Sequence, residues 1–197
     1  MTIREGFVYI KTGKLRRHGI MNPNIFHLIS EISEKEGVTC VLVGGFAVNY
    51  YKVTRQTADV DFLITKEGFE KILVLLEKAG YKKDYTHDVF IKLKGSKTYL
   101  MDVDFMFVDK ETLARIIKEG KRISIAGEKF IVPSLNNLIA LKLHSIKYNP
   151  KLRSAKDLPD IINLVRINKV DYKNKGFREL CLKYGTEDIY KKILDSM

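Results

Sequence analysis

Two aspartates, Asp59 and Asp61, stand one residue apart in an otherwise apolar run. Side chains on a β-strand alternate between its two faces, so both carboxylates point one way while Val60 and Phe62 point the other way. Carboxylates on one face repel each other unless a cation lies between them, and oxygen ligands suit Mg²⁺ better than Zn²⁺. Either aspartate alone could instead cap the preceding turn. The presence of both on one face favours a metal site.

A glycine pair, Gly44-Gly45, ends the apolar run of residues 41–43 upstream of these aspartates. Because glycine has no Cβ, backbone N–H groups at such a turn can approach a ligand closely. The helix that the pair opens directs its positive end toward phosphate. Taken alone, the pair reads as an ordinary turn from a strand into a helix. Together with a nearby candidate metal site, it predicts a phosphate-binding turn.

A second carboxylate pair, Asp102 and Asp104, follows the same alternation in an apolar run that ends at Phe107. If the two strands lie side by side, a third carboxylate joins Asp59 and Asp61. Three aspartates around two metal ions about 3.5–4 Å apart can clamp the attacking and leaving oxygens of an in-line phosphoryl displacement. The sequence therefore predicts two Mg²⁺ ions and a transfer reaction at a nucleoside triphosphate (NTP).

These motifs resemble the polymerase-beta-like nucleotidyltransferase superfamily, whose pattern is a Gly-Gly or Gly-Ser turn, an Asp-x-Asp strand and a third strand carboxylate. Gly-Gly-Phe-Ala-Val from Gly44 and Arg-x-Thr-x-Asp-x-Asp from Arg55 are most similar to the branch containing the AbiE-type toxin nucleotidyltransferases. A later pair of helical motifs agrees, Leu-Ile-x-x-Lys at residues 138–142 and Arg-x-x-Lys-Asp-x-x-Asp at residues 153–160. The resemblance covers about residues 41–164, which is most of the chain.

The resemblance implies a role for each matched residue. Asp59 and Asp61 are the Mg²⁺ ligands. The third carboxylate, both metal ligand and proton acceptor, is Asp104 by the pattern apolar-Asp-apolar-apolar, with Asp102 on the same strand face as the alternative. Nucleotide binding falls on a further set of residues: Gly44, Gly45, Arg55, Thr57 and Lys142.

Several charged residues in these motifs have two possible roles. Arg55 could pair with an aspartate to order its loop, or could reach the substrate phosphate. Lys142 lies in an apolar helix, where it could contact phosphate or pair with a carboxylate. Lys156 and Asp157 are predicted to form a structural pair between helices, which Asp160 could join because it lies three residues beyond Asp157.

Composition predicts a globular intracellular domain. The chain has 197 residues, of which 45% are hydrophobic and 30% charged. No stretch approaches the roughly 18 apolar residues of a membrane span, and no apolar core of a signal peptide is present, so we expect a cytoplasmic protein without a membrane partner. Cys40 and Cys181 are far apart and lack metal-ligand spacing, which argues against a disulfide framework.

The net charge points to a polyanionic partner. Thirty-five Lys and Arg residues outnumber twenty-four Asp and Glu residues, for a net charge of +11. Since the candidate site itself is acidic, the remaining surface must be strongly basic, which suits RNA. The alternative is a charged surface of the heat-adapted kind. Two segments concentrate the basic residues: Lys11, Lys14, Arg16 and Arg17, and then Lys142, Lys147, Lys151, Arg153 and Lys156.

Periodicity and turn residues predict an α/β (α+β) fold, with a small mixed sheet flanked by helices and a mostly helical C-terminal part. Strands are expected at residues 39–43, 58–64, 89–93 and 99–108, with a hairpin at 123–125 and 130–132. Helices are expected from an N-cap at Asn22-Pro23 to 36, and at 46–52, 69–78, 110–118, 134–147, 158–165, 177–183 and 189–194. Residues 1–132 form the nucleotidyltransferase core with an N-terminal extension, and residues 133–197 form the helical subdomain.

The favoured function is a Mg²⁺-dependent nucleotidyltransferase that attaches NMP to an acceptor hydroxyl, with RNA, such as a tRNA end, as the first candidate. The AbiE-type branch adds a toxin role with an antitoxin protein as partner. Transfer to a protein or small-molecule hydroxyl is an alternative. A catalytically silent relative that binds nucleotide, RNA or a protein is another. Motifs of P-loop, dinucleotide-binding, serine-hydrolase and zinc-hydrolase enzymes do not occur.

Overall fold

The computed structural model describes residues 24–98 and 100–197. Within these ranges the strands are β1 (Val41–Leu42), β2 (Asp59–Ile64), β3 (Tyr81–His87), β4 (Phe90–Gly95), β5 (Asp102–Phe107), β6 (Lys121–Ile125) and β7 (Glu128–Val132). They form one mixed sheet in the order β3-β4-β5-β2-β1-β7-β6. The basic segment predicted at residues 11–17 lies outside the described ranges.

Helices connect and follow these strands: α1 (Ile25–Glu36), α2 (Gly44–Tyr50), α3 (Lys66–Lys78), α4 (Lys110–Glu119), α5 (Leu135–Tyr148), α6 (Pro150–Ile167), α7 (Lys175–Tyr184) and α8 (Glu187–Asp195). Most begin at a polar residue whose side chain accepts a hydrogen bond from a backbone N–H of the first turn, as N-caps do. None of the described helices is long and apolar enough to cross a membrane. The predicted fold class, a mixed sheet with a helical C-terminal part, is confirmed.

The centre of the sheet brings the two aspartate strands together. β2 and β5 are parallel neighbours, and their register places Asp59 beside Asp102 and Asp61 beside Asp104. Residues paired across neighbouring strands point to the same face. All four carboxylates therefore emerge from one face of the sheet, as the alternation of the sequence predicted.

The two faces of the sheet are buried to different extents. On one face, Val60, Phe62 and Phe105 belong to the main core, which includes residues of α1, α3 and the C-terminal helices. The opposite face has a smaller cluster that includes Leu63 of β2 and Ile116 of α4. Because apolar cover on this second face is limited, the aspartates at the start of β2 and β5 remain accessible in a cleft.

The structure differs from the prediction at three elements, two with a different start and one that was not predicted. Helix α1 begins at Ile25 with Asn24 as its N-cap, not at Asn22-Pro23, which lie outside the described ranges. Strand β3 was not predicted, because its residues do not alternate between apolar and polar. Helix α6 begins at Pro150 rather than near residue 158, since proline ends α5 but also suits the first position of the next helix.

Candidate active site

Three carboxylates converge where β2 and β5 lie side by side. Asp59, Asp61 and Asp104 each offer an oxygen, and these oxygens all lie within 4.8 Å of one another. All three side chains are partly exposed, so a ligand can reach them. An all-oxygen set of this size suits a hard divalent cation such as Mg²⁺.

The glycine pair lies against this group because its first residue faces Asp61. Val43 N–H donates a 2.9 Å hydrogen bond to the Asp61 carbonyl, which holds the turn over β2. Gly44 has a φ of +60°, and a Cβ on it would overlap the Asp61 carboxylate. A Cβ on Gly45 would lie 2.6 Å from Cβ of Thr57. Both glycines are therefore required by close approach to neighbouring motif residues.

The hydroxyl of Thr57 orients the first aspartate. Thr57 Oγ1 lies 2.9 Å from Asp59 Oδ1 and 3.0 Å from the Asp59 carbonyl oxygen, and can donate to either. Burial opposes ionisation of Asp59, but the Thr57 hydrogen bond and the positive charge of Lys156 together hold its pKa below the usual value. Asp59 is therefore the carboxylate of the group that ionises most readily.

The other two carboxylates are harder to ionise. Burial, followed by the charges of Asp59 and Asp104, raises the pKa of Asp61. Burial also raises the pKa of Asp104, although Lys92 Nζ lies 2.8 Å from its Oδ2 and works in the opposite direction. The same hydrogen bond raises the pKa of Lys92. The group thus holds like charges that a bound cation would stabilise.

Asp102, the alternative third carboxylate, has a different environment. It is exposed, and its Oδ1 accepts a 3.1 Å hydrogen bond from the backbone N–H of Gly95 on β4. The structure brings Asp104, and not Asp102, into reach of Asp59 and Asp61.

Lys142 lies between two buried carboxylates. Its Nζ donates hydrogen bonds to Asp157 Oδ1 at 2.9 Å and to Asp160 Oδ2 at 2.7 Å. Arg153 Nε donates to the second oxygen of Asp157 at 2.8 Å, and Arg55 Nη1 lies 3.2 Å from Asp160. Of the two roles left open for Arg55 and Lys142, the structure shows the carboxylate pairing for both. We call these five residues the α5–α6 ion network.

The predicted pair between Lys156 and Asp157 is wrong. Neighbouring residues on a helix point in different directions, and Asp157 turns toward Lys142 and Arg153 instead. Lys156 faces the carboxylate group, where its charge lowers the pKa of Asp59 and opposes the raised pKa values of Asp61 and Asp104. Lys156 also lines the cleft beside these carboxylates, together with Gly44, Arg55 and Lys142. The other residues that line the cleft are Val43, Asp61, Met106, Leu138, Leu141, Ser145 and Arg153.

Lys92 is a second site residue that the sequence interpretation missed. It lies directly opposite Asp104 in the antiparallel pairing of β4 and β5. The alternation of Phe90, Lys92 and Lys94 with buried Ile91 and Leu93 was the available signal. That signal becomes useful only once β4 is known to lie beside β5.

The profile of one protein family, described as nucleotidyl transferase of unknown function (DUF2204), matches residues 23–184. Among solved structures, the antibiotic-resistance factor ANT(2″)-Ia has a TM-score of 0.59 and 16% identity, covering 86% of this chain and 92% of that chain. The Megavirus polyadenylate synthase has a TM-score of 0.50 and 16% identity, covering 76% of this chain and 32% of that chain. At these identities the likeness concerns the fold.

Curated sequences of the large ribosomal subunit protein bL25 from two strains of Bacteroides fragilis also match. Each is 29% identical over 125 residues, which is 58% of this chain and 62% of the relative. The chain thus spans less than two thirds of the length of these curated relatives.

The family profile covers the Gly-Gly turn, both aspartate strands and the α5–α6 ion network. The superfamily resemblance that the motifs indicated is therefore confirmed, while the AbiE-type branch stays a prediction. A match over residues 23–184 includes most of the 197 residues. We conclude that the chain belongs to the family of nucleotidyl transferases of unknown function (DUF2204).

Proposed function

We propose that this chain transfers a nucleoside monophosphate from an NTP to an acceptor hydroxyl, with divalent metal held by Asp59, Asp61 and Asp104. The observation that carries the proposal is the approach of these three carboxylates to within 4.8 Å on two adjacent strands. Burial is the first cause of a raised pKa in two of them, Asp61 and Asp104. Among the described residues only Asp104 of the three forms an ion pair, with Lys92.

Mg²⁺ fits this group because every donor is a carboxylate oxygen and no histidine or cysteine belongs to it. Mg²⁺ held by these carboxylates would lower the pKa of the acceptor hydroxyl and stabilise the leaving pyrophosphate. Asp104 accepts the proton of the acceptor hydroxyl on a carboxylate oxygen. A carboxylate within hydrogen-bond reach of the acceptor hydroxyl can act as its general base.

The cleft beside Gly44 holds the triphosphate in this proposal. Gly44 and Gly45 leave room for phosphate near the backbone, and Lys156 supplies a positive charge from α6. In the described structure Lys156 takes part in no ion pair, so its charge is available to phosphate. Arg55 lines the same cleft while holding Asp160. Lys142 acts through the α5–α6 ion network, by positioning Asp160 and hence Arg55.

RNA is the proposed acceptor, and the cytoplasm the proposed location, where Cys40 and Cys181 persist as free thiols. The net charge of +11 favours a polyanion and disfavours a cationic small molecule. One structural neighbour was solved with adenylyl-2″-tobramycin, so a small-molecule hydroxyl is the second candidate on the same fold. A toxin role with an antitoxin partner follows only if the AbiE-type resemblance of the Gly-Gly and Asp-x-Asp motifs extends to function.

Calorimetry tests the metal and nucleotide site. Titration of a non-hydrolysable NTP should give binding only when Mg²⁺ or Mn²⁺ is present, and Asp59→Asn/Asp61→Asn should abolish it. Asp195→Asn, an exposed aspartate at the end of α8, is the control and should bind normally. Equal NTP affinity with and without metal would contradict the proposal.

Incubation with each α-labelled NTP, Mg²⁺ and total cellular RNA tests the acceptor. We expect label to move into RNA and to disappear after nuclease treatment. Label found instead in protein, or in a small molecule with RNA absent, would assign the acceptor to that class. Absence of transfer to any acceptor, despite metal-dependent NTP binding, would favour the catalytically silent alternative.

A further inference from the structure

The β3–β4 hairpin carries stacked aromatic rings on the same face of the sheet as the catalytic carboxylates. In the strand register, Lys92 lies opposite Asp104 on one side and opposite Tyr85 on the other. His87 lies opposite Phe90. Directly opposed residues share a face, so these aromatic side chains and Asp104 all point the same way.

The rings of Tyr85 and His87 each stack with the ring of Phe90. The Tyr85 and Phe90 centroids are 5.4 Å apart at 27°, and the His87 and Phe90 centroids are 5.5 Å apart at 22°. Tyr85 is 51% exposed, and His87 is also exposed. Aromatic rings are usually placed where their surface is buried. A stacked, accessible group of this kind beside an active site is suited to a planar ligand.

Lysines surround these rings. Lys82 and Lys94 lie opposite each other on the same face, are exposed, and take part in no ion pair within the described residues. The hairpin segment of residues 81–97 has five lysines against two aspartates. We call Lys82, Tyr85, His87, Phe90 and Lys94 the basic-aromatic surface. Its composition combines charges for phosphates with rings for bases, the combination that binds single-stranded nucleic acid.

The basic-aromatic surface and the cleft proposed for the triphosphate lie at different places around the carboxylates, so an acceptor and an NTP can bind together. The cleft proposed for the triphosphate extends over β2 and β5 to Gly44, next to β1, whereas the hairpin lies beyond β5 on the β4 side. In-line transfer needs the attacking and leaving oxygens on opposite sides of the reacting phosphorus. A substrate on the hairpin would approach the carboxylates from the β4 side, away from Gly44, which is compatible with this geometry.

We propose that the basic-aromatic surface binds the single-stranded end of the RNA acceptor, with bases stacked on the exposed rings of Tyr85 and His87 and phosphates held by Lys82 and Lys94. The proposal rests on the nucleotidyltransferase function proposed above. Tyr85 lies two strand spacings from Asp104, about 10 Å across the sheet. The terminal hydroxyl can thus reach Asp104 while a preceding base stacks on the hairpin.

A protein partner that pairs with β3 is the competing occupant, because β3 is an edge strand of the sheet. Edge strands that add another strand are flat and poor in charge. β3 has Lys82 and Lys83 on its edge, and its register is interrupted between Lys83 and Tyr85. Both features disfavour strand addition, and the positive charge favours RNA.

Fluorescence anisotropy with a labelled single-stranded RNA of about 12 nucleotides tests the surface, since this length covers known single-strand site sizes. Tyr85→Ala and Tyr85→Leu should each weaken binding by at least about fivefold, while Tyr85→Phe keeps the ring and should bind like the unaltered protein. Lys82→Gln/Lys94→Gln should lower the log–log salt slope by about 1.4, the value for two phosphate contacts.

Matched controls lie elsewhere on the surface. Tyr50→Ala removes an exposed tyrosine that packs against Tyr51, and Lys121→Gln/Lys129→Gln removes two exposed lysines of the opposite hairpin, β6–β7. Both should leave RNA affinity unchanged. All hairpin variants should keep metal-dependent NTP binding and the thermal midpoint of the unaltered protein, which excludes unfolding as the cause.

The outcomes separate this inference from the proposed function. RNA affinity that is insensitive to Tyr85→Ala and Tyr85→Leu, or absent while NTP binding is intact, overturns the basic-aromatic surface alone. Loss of metal dependence in NTP binding overturns the proposed function instead. Tyr85→Ala that dissociates a dimer in light scattering, with RNA affinity unchanged, would assign the surface to a protein partner and overturn the inference.

Discussion

Gly44 lies against the carboxylate of Asp61, so that no side chain can occupy position 44 without displacing a proposed metal ligand. Gly44 also has a φ of +60°, a conformation that L-residues adopt at a cost. The Gly-Gly motif and the Asp-x-Asp motif are thus parts of a single structural unit. Their co-occurrence in the sequence follows from this contact.

We expect Gly44→Ala to abolish metal-dependent NTP binding. Gly37 is the matched control, because its φ is +62° and a Cβ there would meet no atom within 4 Å. Both variants should lose about 1–2 kcal/mol of unfolding free energy from backbone strain. Only Gly44→Ala should lose NTP binding, as measured by calorimetry. Normal binding by Gly44→Ala would mean that Asp61 does not hold the metal.

Asp61→Asn should stabilise the metal-free protein. Burial and the neighbouring carboxylates raise the pKa of Asp61, so its ionised form is unfavourable at neutral pH. Removing this charge should add about 0.5–2 kcal/mol to the unfolding free energy, a common gain when a functional constraint is relieved. Asp195→Asn is the exposed control. Thermal unfolding without metal should show the increase, and added Mg²⁺ should no longer shift the Asp61→Asn midpoint.

Metal binding should weaken on acidification at a higher pH than ordinary aspartates require. Asp61 and Asp104 have raised pKa values, and each must be deprotonated to bind a cation. Affinity should therefore fall as pH drops through these raised values, while Asp59, whose pKa is lowered, remains ionised. Calorimetry with Mn²⁺ and NTP over a pH series measures the midpoint. A midpoint within the usual pKa range of aspartates would contradict the predicted loss of metal affinity at a higher pH.

The same raised pKa values should make the stability of the metal-free protein depend on pH in the opposite direction: metal binding strengthens as pH rises, whereas this contribution to stability decreases. A carboxylate whose folded pKa is raised binds its proton more tightly in the folded state than in the unfolded state. The contribution of Asp61 and Asp104 to stability therefore decreases as pH rises from the unfolded pKa, about 3.9, through the raised folded values. Asp61→Asn should flatten this dependence in thermal unfolding, whereas Asp195→Asn should not.

Lys142 and Lys156 line the same cleft, but we expect their substitutions to affect different properties. Substitution of Lys142 should lower folding stability, whereas substitution of Lys156 should weaken NTP binding. Lys142→Met leaves Asp157 and Asp160 buried with fewer partners, which should cost about 3–5 kcal/mol of unfolding free energy. Lys156→Gln should change stability by less than about 0.5 kcal/mol, because Lys156 is exposed. It should weaken NTP binding by about tenfold through loss of a charged contact. Lys191→Gln on α8 is the exposed control. Unchanged NTP affinity in Lys156→Gln would remove it from the site.

Local sequence patterns were sufficient to predict the strands that carry the aspartates, because alternation on a half-buried strand follows directly from backbone geometry. They also identified the glycine turn and the helical C-terminal part. The motif pattern favoured Asp104 as the third carboxylate, and Asp104 is the one that lies close to Asp59 and Asp61. The register of β2 and β5 then explains why Asp104, rather than Asp102, reaches Asp61.

The positions of Lys142, strand β3 and Lys92 depend on tertiary contacts, which local sequence patterns do not predict. Lys142 meets Asp157 and Asp160 only because α5 packs against α6, and the partners are 15 and 18 residues away in sequence. Strand β3 is exposed along most of its length and owes its conformation to pairing with β4. No periodicity marks such a strand. The location of Lys92 beside Asp104 likewise depends on sheet order, which the sequence did not indicate.

The ion pair between Arg55 and Asp160 joins the loop before β2 to α6, across the boundary predicted at residue 132. The cleft proposed for the nucleotide is therefore formed by residues from both predicted parts of the chain. A recombination that replaced the C-terminal helices would leave the Arg55 guanidinium inside the cleft without Asp160. The β3–β4 hairpin lies at the far margin of the sheet, and Lys82 and Lys94 have no ion pair with those helices in the described structure. Substitutions in the hairpin should therefore change the proposed acceptor binding while leaving the ion pair between Arg55 and Asp160 intact.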